Sequence, residues 1–403
     1  MIKQLQNVLK RNLWLVLVII LLFGLLSLLL PGLASVRSAV SIQDIYDRLS
    51  VQDSFFQVLR ESVVEKNADN KTIHVAFLKV HKTGSTTAQN MFLRFGWNHN
   101  LTFVLSPSKN DFKYPNIISL REGMTPKNTL PPPEGKHHDI LCNHVVYNRT
   151  SFRKYMPNDT FYVGILREPY EYFKSVLNYL RPGYIFKKIN TSLPVSEYLK
   201  DPRKYEPKSP AMSFTNNRLA FEFGCTADVI ESSDAKQIIQ FVKSVDSDFG
   251  LVIITELFEE SILLLRRYLN WSTKDVIYLD KNIAKNKNTT SFVGPYDRQL
   301  YKRWAKVDYA LYEYFYRRLR DQIRREGDDF DEELLHFAEN RKMASEFCSA
   351  GEANKKSNSK LIVHKSKWSE GFEITSSDCD LLRKAEIPFV QDIRFRQYGS
   401  MKI

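Results

Sequence analysis

Residues 72–87 read TIHVAFLKVHKTGSTT. A β-prone apolar run ends in a basic pair, a single glycine and four hydroxyl residues. The next stretch, TTAQNMFLRFGWNHN, places Ala88, Met91, Phe92 and Phe95 on one helical face. Strand, hydroxyl-rich turn and helix open an α/β nucleotide-binding unit, which few other architectures accommodate. Backbone N–H groups at such a turn point at an anion, and the helix dipole adds to the attraction. Lys82 supplies a full positive charge, while Thr83, Ser85, Thr86 and Thr87 supply hydroxyls. The stretch is not a Walker A loop, because GxxxxGK[ST] is absent and the lysine precedes the only glycine.

The rest of the chain continues the alternation. HDILCNHVVY (138–147), TFYVGILR (160–167) and FGLVIITEL (249–257) read as strands. PYEYFKSVLNYL opens a helix with Pro169 at its first position. FEESILLLRRYLNW carries Phe258, Ile262, Leu265 and Leu269 on one face. QLYKRWAKVDYALYEYF reads as one helix with apolar positions at Leu300, Trp304, Val307, Leu311 and Phe315. The expected fold is an α/β, mostly parallel sheet flanked by helices. The segments around 113–138 and 281–297 are long, polar and Pro- or Lys-rich, as functional loops are. Lys281, Lys285 and Lys287 there are candidates for a loop closing over a nucleotide, against the plainer reading of a solvated surface.

The N-terminus sets the expected compartment. Leu13 to Leu30 is eighteen residues without a charge, long enough for about 27 Å of helix. Lys3, Lys10 and Arg11 precede it, so the positive-inside rule places residues 1–12 in the cytosol. The reading is a cytosolic tail (1–12), a signal-anchor (13–33), a stem (34–70) and a lumenal domain (71–403). A cleaved signal peptide is the alternative; the apolar run is longer than a usual h-region. Sequons begin at Asn70, Asn100, Asn148, Asn158, Asn190, Asn270 and Asn288. Four cysteines allow three full pairings, and Cys348 with Cys379 is favoured because both lie in the C-terminal segment. Cys142 sits in an apolar run and reads as a buried thiol. A net charge of +12 asks for an anionic partner, and a lumenal setting makes that partner something other than nucleic acid.

A second constellation narrows the anion. The 160–167 strand ends at Arg167, and Ser175 follows eight residues later within a helix. A guanidinium fork and a hydroxyl can share one terminal phosphate. Together the two stretches resemble the 5′-phosphosulfate loop and 3′-phosphate motif of sulfotransferases that use 3′-phosphoadenosine 5′-phosphosulfate (PAPS). That resemblance implies a P-loop-NTPase-like fold. It makes Lys82 catalytic and PAPS-binding, sets Thr83, Gly84, Ser85 and Thr86 on the 5′-phosphosulfate, and sets Arg167 and Ser175 on the 3′-phosphate.

A narrower resemblance covers most of the chain beyond residue 71. FLKVHKTGSTTAQNMFLRFGWNHNLTFVL, LCNH, VGILREP, LVIITELFEESILLLRRYLNW, VIYLDKN and IPFVQDIRFRQY are similar to the galactose 3-O-sulfotransferase family. Gly84 stands where that family's loop commonly has Ala, and Cys142-Asn143-His144-Val145 departs from its paired histidines. His144 matches the second of the pair and is the expected base, since imidazole titrates near operating pH. His81 is its rival. His137 and His138 read as solvated and His99 as structural. Asn217, in an N-x-x-A-F-x-x-G pattern, is a candidate sugar ligand or a packing residue.

The resemblance implies a Golgi-resident, single-span type II enzyme that needs no metal. Its acceptor would be a galactose-terminated glycolipid, such as galactosylceramide, or a glycan, and it could form a homodimer. The alternatives are a glycosaminoglycan O-sulfotransferase, a nucleotide-dependent kinase and a membrane-tethered galactoside-binding protein without catalysis.

Overall fold

The computed structural model describes residues 71–107, 114–279, 293–350 and 359–399. The expected membrane span and stem, Asn70, Asn288 and the lysines at 281, 285 and 287 lie outside them. Among the described residues, no helix is long and apolar enough to cross a membrane.

The centre is a four-stranded, wholly parallel sheet. In chain order the elements that build the site are β1 (Val75–Phe77), α1 (Ser85–Asn98), β2 (Ile140–Leu141), β3 (Phe161–Leu166), α2 (Pro169–Tyr179), α3 (Arg218–Glu222), β4 (Leu251–Ile254) and α4 (Phe258–Leu269). Then come α5 (Asp297–Trp304), α6 (Lys306–Arg325), α7 (Phe330–Ser349), the antiparallel hairpin β5 (Leu361–Val363) and β6 (Phe372–Ile374), α8 (Ser376–Arg383) and α9 (Glu386–Tyr398). The strand order is β2-β1-β3-β4. The register pairs Val75 with both Ile140 and Phe161, and Val163 with Leu251.

Strands covered on both faces read as continuous apolar runs. Val75, Ala76 and Phe77, and Leu251 through Ile254, are accordingly buried. The expected strands are trimmed at both ends. β2 stops at Leu141 because His144 pairs instead with the 116–118 segment: its N–H donates to Asn116 O, and Ile118 N–H donates to its carbonyl.

The apolar face expected for α1 is the buried one: Ala88, Met91, Phe92 and Phe95 are inaccessible, and Phe92 stacks on Phe77 at 4.7 Å. Each large side chain there contributes on the order of 1.5–3 kcal/mol by burial. Its other faces are covered too, by α8, α9 and the 273–276 turn, so Gln89, Asn90 and Arg94 are buried as well.

The single helix expected over 299–315 is two helices. The chain breaks at Ala305 (ψ 47°), and α6 starts afresh, its first N–H groups at Val307 and Asp308 donating to the Asn217 side chain. An external cap that satisfies these orphan donors makes the break favourable.

Strand order reverses between β1 and β3. β1 connects through α1 to β2 on one side, and β3 connects to β4 on the other. In open parallel sheets ligands bind outside the carboxyl ends of the strands at such a switch point. The TGST turn follows β1 there, and Arg167 follows β3.

Candidate active site

The loop after β1 is held in an uncommon backbone conformation. Lys82 (φ 57°) and Gly84 (φ 76°) both lie in the left-handed region, with Gly84 as the N-cap of α1. A non-glycine residue there carries strain, which persists only where surroundings over-determine it. The surroundings here are visible. The hydroxyls of Thr83 and Ser85 both donate to Val80 O, at 3.0 and 2.5 Å. The Thr255 hydroxyl, just past β4, is shared between Thr83 O (2.7 Å) and Leu166 O (2.9 Å). Two of the four hydroxyls expected to face an anion therefore build the loop instead. The donors left for an anion are the first backbone N–H groups of α1, at Ser85 and Thr86, since Thr87 N–H already donates to Gly84 O at 3.0 Å.

Lys82 and Arg167 meet. Arg167 Nη1 donates to Lys82 O at 3.2 Å. The Lys82 ammonium sits 3.6 Å from the centre of the Tyr179 ring, the last residue of α2. Ser175 is half-buried and one turn before Tyr179, hence on the same face of α2. Burial, with the nearby charges of Arg167 and Lys79, lowers the Lys82 pKa. Lys82 and Arg167 beside one loop favour an anion, whereas the buried Lys79 is neutralised by Glu386.

His144 is 7% exposed. Its Nδ1 donates to Lys79 O at 2.9 Å, which leaves Nε2 as an acceptor for the Lys79 ammonium at 2.8 Å. Burial, then the charges of His81 and Lys79, holds its pKa well below the usual range. Lys79 is 2% exposed and also pairs with Glu386 at 2.9 Å. Glu386, opening α9, accepts from Thr86 as well (3.3 Å) and from Asn116. Burial alone would raise the Glu386 pKa, but Lys79 and these donors bring it down.

The His81 ring stacks on that of His144, with 3.7 Å between centroids. Its Nδ1 donates to Glu222 Oε1 at 2.7 Å, and its backbone N–H donates to Oε2 at 2.9 Å. Burial would push the Glu222 carboxyl up, yet His81 and Arg218 (2.7 Å) hold it at about 2. Burial outweighs Glu222 at His81 itself, whose pKa is lowered. A neutral His81 with its proton on Nδ1 presents Nε2 as a lone pair. Phe214 lies edge-on to the ring at 5.5 Å, and Arg218 covers Phe214 at 4.6 Å. Strand alternation predicts that neighbours 81 and 82 face apart; the left-handed turn at Lys82 lets both line the crevice. His81, His144 and Glu222 bring donor atoms within 4.8 Å, as metal ligands do. The Lys79 ammonium, however, occupies the lone-pair side of His144.

The galactose-3-O-sulfotransferase family model matches residues 1–366. The chain belongs to that family. It is 31% identical over 271 residues to mouse galactose-3-O-sulfotransferase 2, covering 66% of each chain. Against mouse galactose-3-O-sulfotransferase 3 the identity is 34% over 250 residues, 61% of this chain and 56% of the relative. Against human galactosylceramide sulfotransferase it is 31% over 249 residues, 60% and 56%. The aligned region therefore spans between about half and two thirds of these relatives.

Within this family member several expectations need correction. Asn217 is not available to a sugar. It is 1% exposed, its Oδ1 accepts from Val307 N (2.9 Å) and Asp308 N (3.1 Å), and its Nδ2 donates to Asn216 Oδ1 (3.0 Å) and Trp304 O (3.4 Å). The N-x-x-A-F-x-x-G pattern is a backbone device. Asn217 (φ 46°) and Gly224 (φ 87°) bracket α3 in left-handed conformations, and a Cβ on Gly224 would meet Tyr147 O at 2.6 Å. His138 is buried, not solvated. Asn100, Asn148, Asn158, Asn190 and Asn270 are all exposed, and Cys348 is bonded to Cys379. Cys142 and Cys225 are buried thiols. Lys79, Glu222, Thr255 and Glu386 were not singled out from sequence. Lys79 alone carried a signal there: a lysine inside an apolar run needs a buried partner.

Proposed function

We propose that this chain transfers a sulfuryl group from PAPS to the 3-hydroxyl of a terminal galactose. Family membership supports the reaction class. The observation that carries the residue roles is the crevice at the β1/β3 switch point, where Lys82, Arg167 and His81 meet beside the N-terminus of α1.

PAPS is the donor substrate, and its 5′-phosphosulfate carries the group to be moved. The loop of Thr83, Gly84, Ser85 and Thr86 would hold that end through its backbone N–H groups, those of Ser85 and Thr86 opening α1. Arg167 and Ser175 would hold the 3′-phosphate, Arg167 through a charged fork. Lys82 would place its ammonium where negative charge grows on the departing phosphate oxygen, the interaction most useful to the rate.

His81 takes the role of base in this reading, with His144 as its rival. A base needs a free lone pair within reach of the acceptor hydroxyl. At His144 that lone pair is engaged by Lys79 (2.8 Å). At His81 Glu222 orients the ring through Nδ1 and supports the charge that forms on proton transfer, while Nε2 has no protein partner among the described residues. The half-buried Phe214 offers a face to the apolar side of galactose. Residence in the Golgi membrane through residues 13–33, with the domain lumenal, is part of the same reading.

The test is label transfer from sulfate-labelled PAPS by the full-length chain to galactosylceramide, lactose and a heparan-type glycan. Label on the galactose 3-position, lost in Lys82→Ala, supports the proposal. Label on the heparan acceptor alone moves the chain to glycosaminoglycan sulfation. PAPS or galactoside binding with no transfer to any acceptor favours a non-catalytic binder.

A further inference from the structure

We propose that His74, His137 and Asp139 bind a divalent transition metal ion, with zinc as the best match, at the amino ends of the central strands. The site is at the opposite end of the sheet from the crevice. His74 immediately precedes β1 and Asp139 immediately precedes β2, while Asp159 stands two residues before β3.

The donor atoms converge as ligands do. His74 Nε2 lies 3.1 Å from His137 Nε2 and 3.4 Å from Asp139 Oδ1, and His137 Nε2 lies 3.0 Å from Asp139 Oδ1. Ligand atoms around a tetrahedral zinc ion, each about 2.0–2.1 Å from the metal, are about 3.3 Å apart. Two imidazole nitrogens and a carboxylate oxygen are a donor set that suits zinc.

The supporting groups fit as well. His74 Nδ1 donates to Asp159 Oδ1 at 2.8 Å, the carboxylate–imidazole pairing that orients a ligating ring. Asp139 Oδ2 accepts from Thr102 N at 2.6 Å, which turns Oδ1 toward the two rings. Backbone ladders fix the positions: Val75 N donates to Asp139 O, and Phe161 N donates to His74 O. His137 and Asp139, two apart on an extended segment, share a side.

Hydrogen bonds alone serve this cluster poorly. With its Nδ1 proton on Asp159, His74 presents a lone pair at Nε2. That lone pair and the Asp139 carboxylate face each other, with at most one proton on His137 Nε2 to serve both. A metal ion bound by all three resolves the arrangement. The side chain of His137 is 65% exposed, so a fourth position open to water is available. An ion there would clip β1 to β2 and, through Asp159, to the turn entering β3.

The experiment uses the full-length chain in detergent, stripped with a chelator, titrated at neutral pH with zinc by calorimetry and with cobalt(II) by absorption. Expected are one equivalent of zinc bound at micromolar affinity or tighter, tetrahedral cobalt bands, and a melting temperature raised by zinc. His137→Ala, an exposed change that leaves the chelated protein's melting temperature alone, should abolish the zinc-induced rise. Asp139→Asn should do the same, and Asp159→Asn should weaken affinity about 10–100-fold. His81→Ala should retain binding, which separates this site from the crevice. No stoichiometric zinc, or binding that survives in both His137→Ala and Asp139→Asn, would overturn the proposal in favour of a hydrogen-bonded cluster only.

Discussion

His81 and His144 stack ring on ring at 3.7 Å, and they differ in what is left over. His144 spends both nitrogens on Lys79, one on its carbonyl and one on its ammonium. His81 spends one on Glu222. Replacing His81 by Ala should therefore lower kcat about 10²–10⁴-fold with little change in PAPS affinity. His144→Ala should act through the Lys79–Glu386 pair and cost stability together with activity. Equal kcat losses at unchanged melting temperature in both variants would count against the assignment.

The pH profile tests the same residue by another route. Burial lowers the His81 pKa and Glu222 opposes that shift. The acid limb of kcat/KM should fall below the ordinary imidazole range. Glu222→Gln removes the group that raises the pKa, so its acid limb should move to still lower pH, with a reduced plateau. An acid limb that stays put in Glu222→Gln would show that another group titrates.

Lys82→Ala should lower kcat by about 10²–10³-fold, because in the proposed reaction its ammonium would meet charge that develops during transfer. Lys82→Arg should rescue little: a planar fork on a backbone already in a left-handed conformation cannot reproduce a point charge. Single-turnover kinetics with labelled PAPS separates this loss from weaker binding.

Glu222 also predicts a stability profile. Its folded pKa is about 2, below the ordinary carboxyl value, so its contribution is full above about pH 4.5 and is lost as pH falls toward 2. That span corresponds to about 3 kcal/mol. Glu222→Ala leaves Arg218, 1% exposed, without its partner and should destabilise by about 3–5 kcal/mol at neutral pH. Chemical denaturation of both chains at pH 7 gives the second number, and repeating it at pH 3 should show about 2 kcal/mol of the first already lost.

The disulfide joins α7 to α8 across a separation of 31 residues. Closing a loop of that size constrains the unfolded chain by about 3–4 kcal/mol. Cys348→Ser with Cys379→Ser should lower the midpoint of unfolding accordingly. An unchanged midpoint would mean that native packing holds α7 and α8 together without the bond.

Much of the fold was legible because parallel strands buried on both faces leave apolar runs, and α1 keeps its core residues in register. The break at Ala305 was not, because its cause, the Asn217 carboxamide, lies 90 residues away from Val307. The loop that carries Lys82 was readable from its glycine and hydroxyls. What its side chains do was not: Thr83 and Ser85 fold back on Val80, a local choice that spacing does not encode. Glu222 and Glu386 escaped notice because a buried charge in a polar stretch declares itself only when its partner is in view; Lys79, within an apolar run, was the one that carried a signal. Gly224 and Asn217 showed as a pattern, and backbone angles turned the pattern from a sugar ligand into a turn.

Glu386 reaches Thr86 across 300 residues, and through Lys79 it braces the loop after β1. At synthesis rates of about 5–20 residues per second, tens of seconds pass between the two leaving the ribosome. Until α9 emerges, the nascent chain can pair its strands but holds Lys79 without its carboxylate. A message cut short before codon 386 would thus yield a chain whose loop after β1 lacks its brace, so the last helix to be made completes the first loop of the sheet.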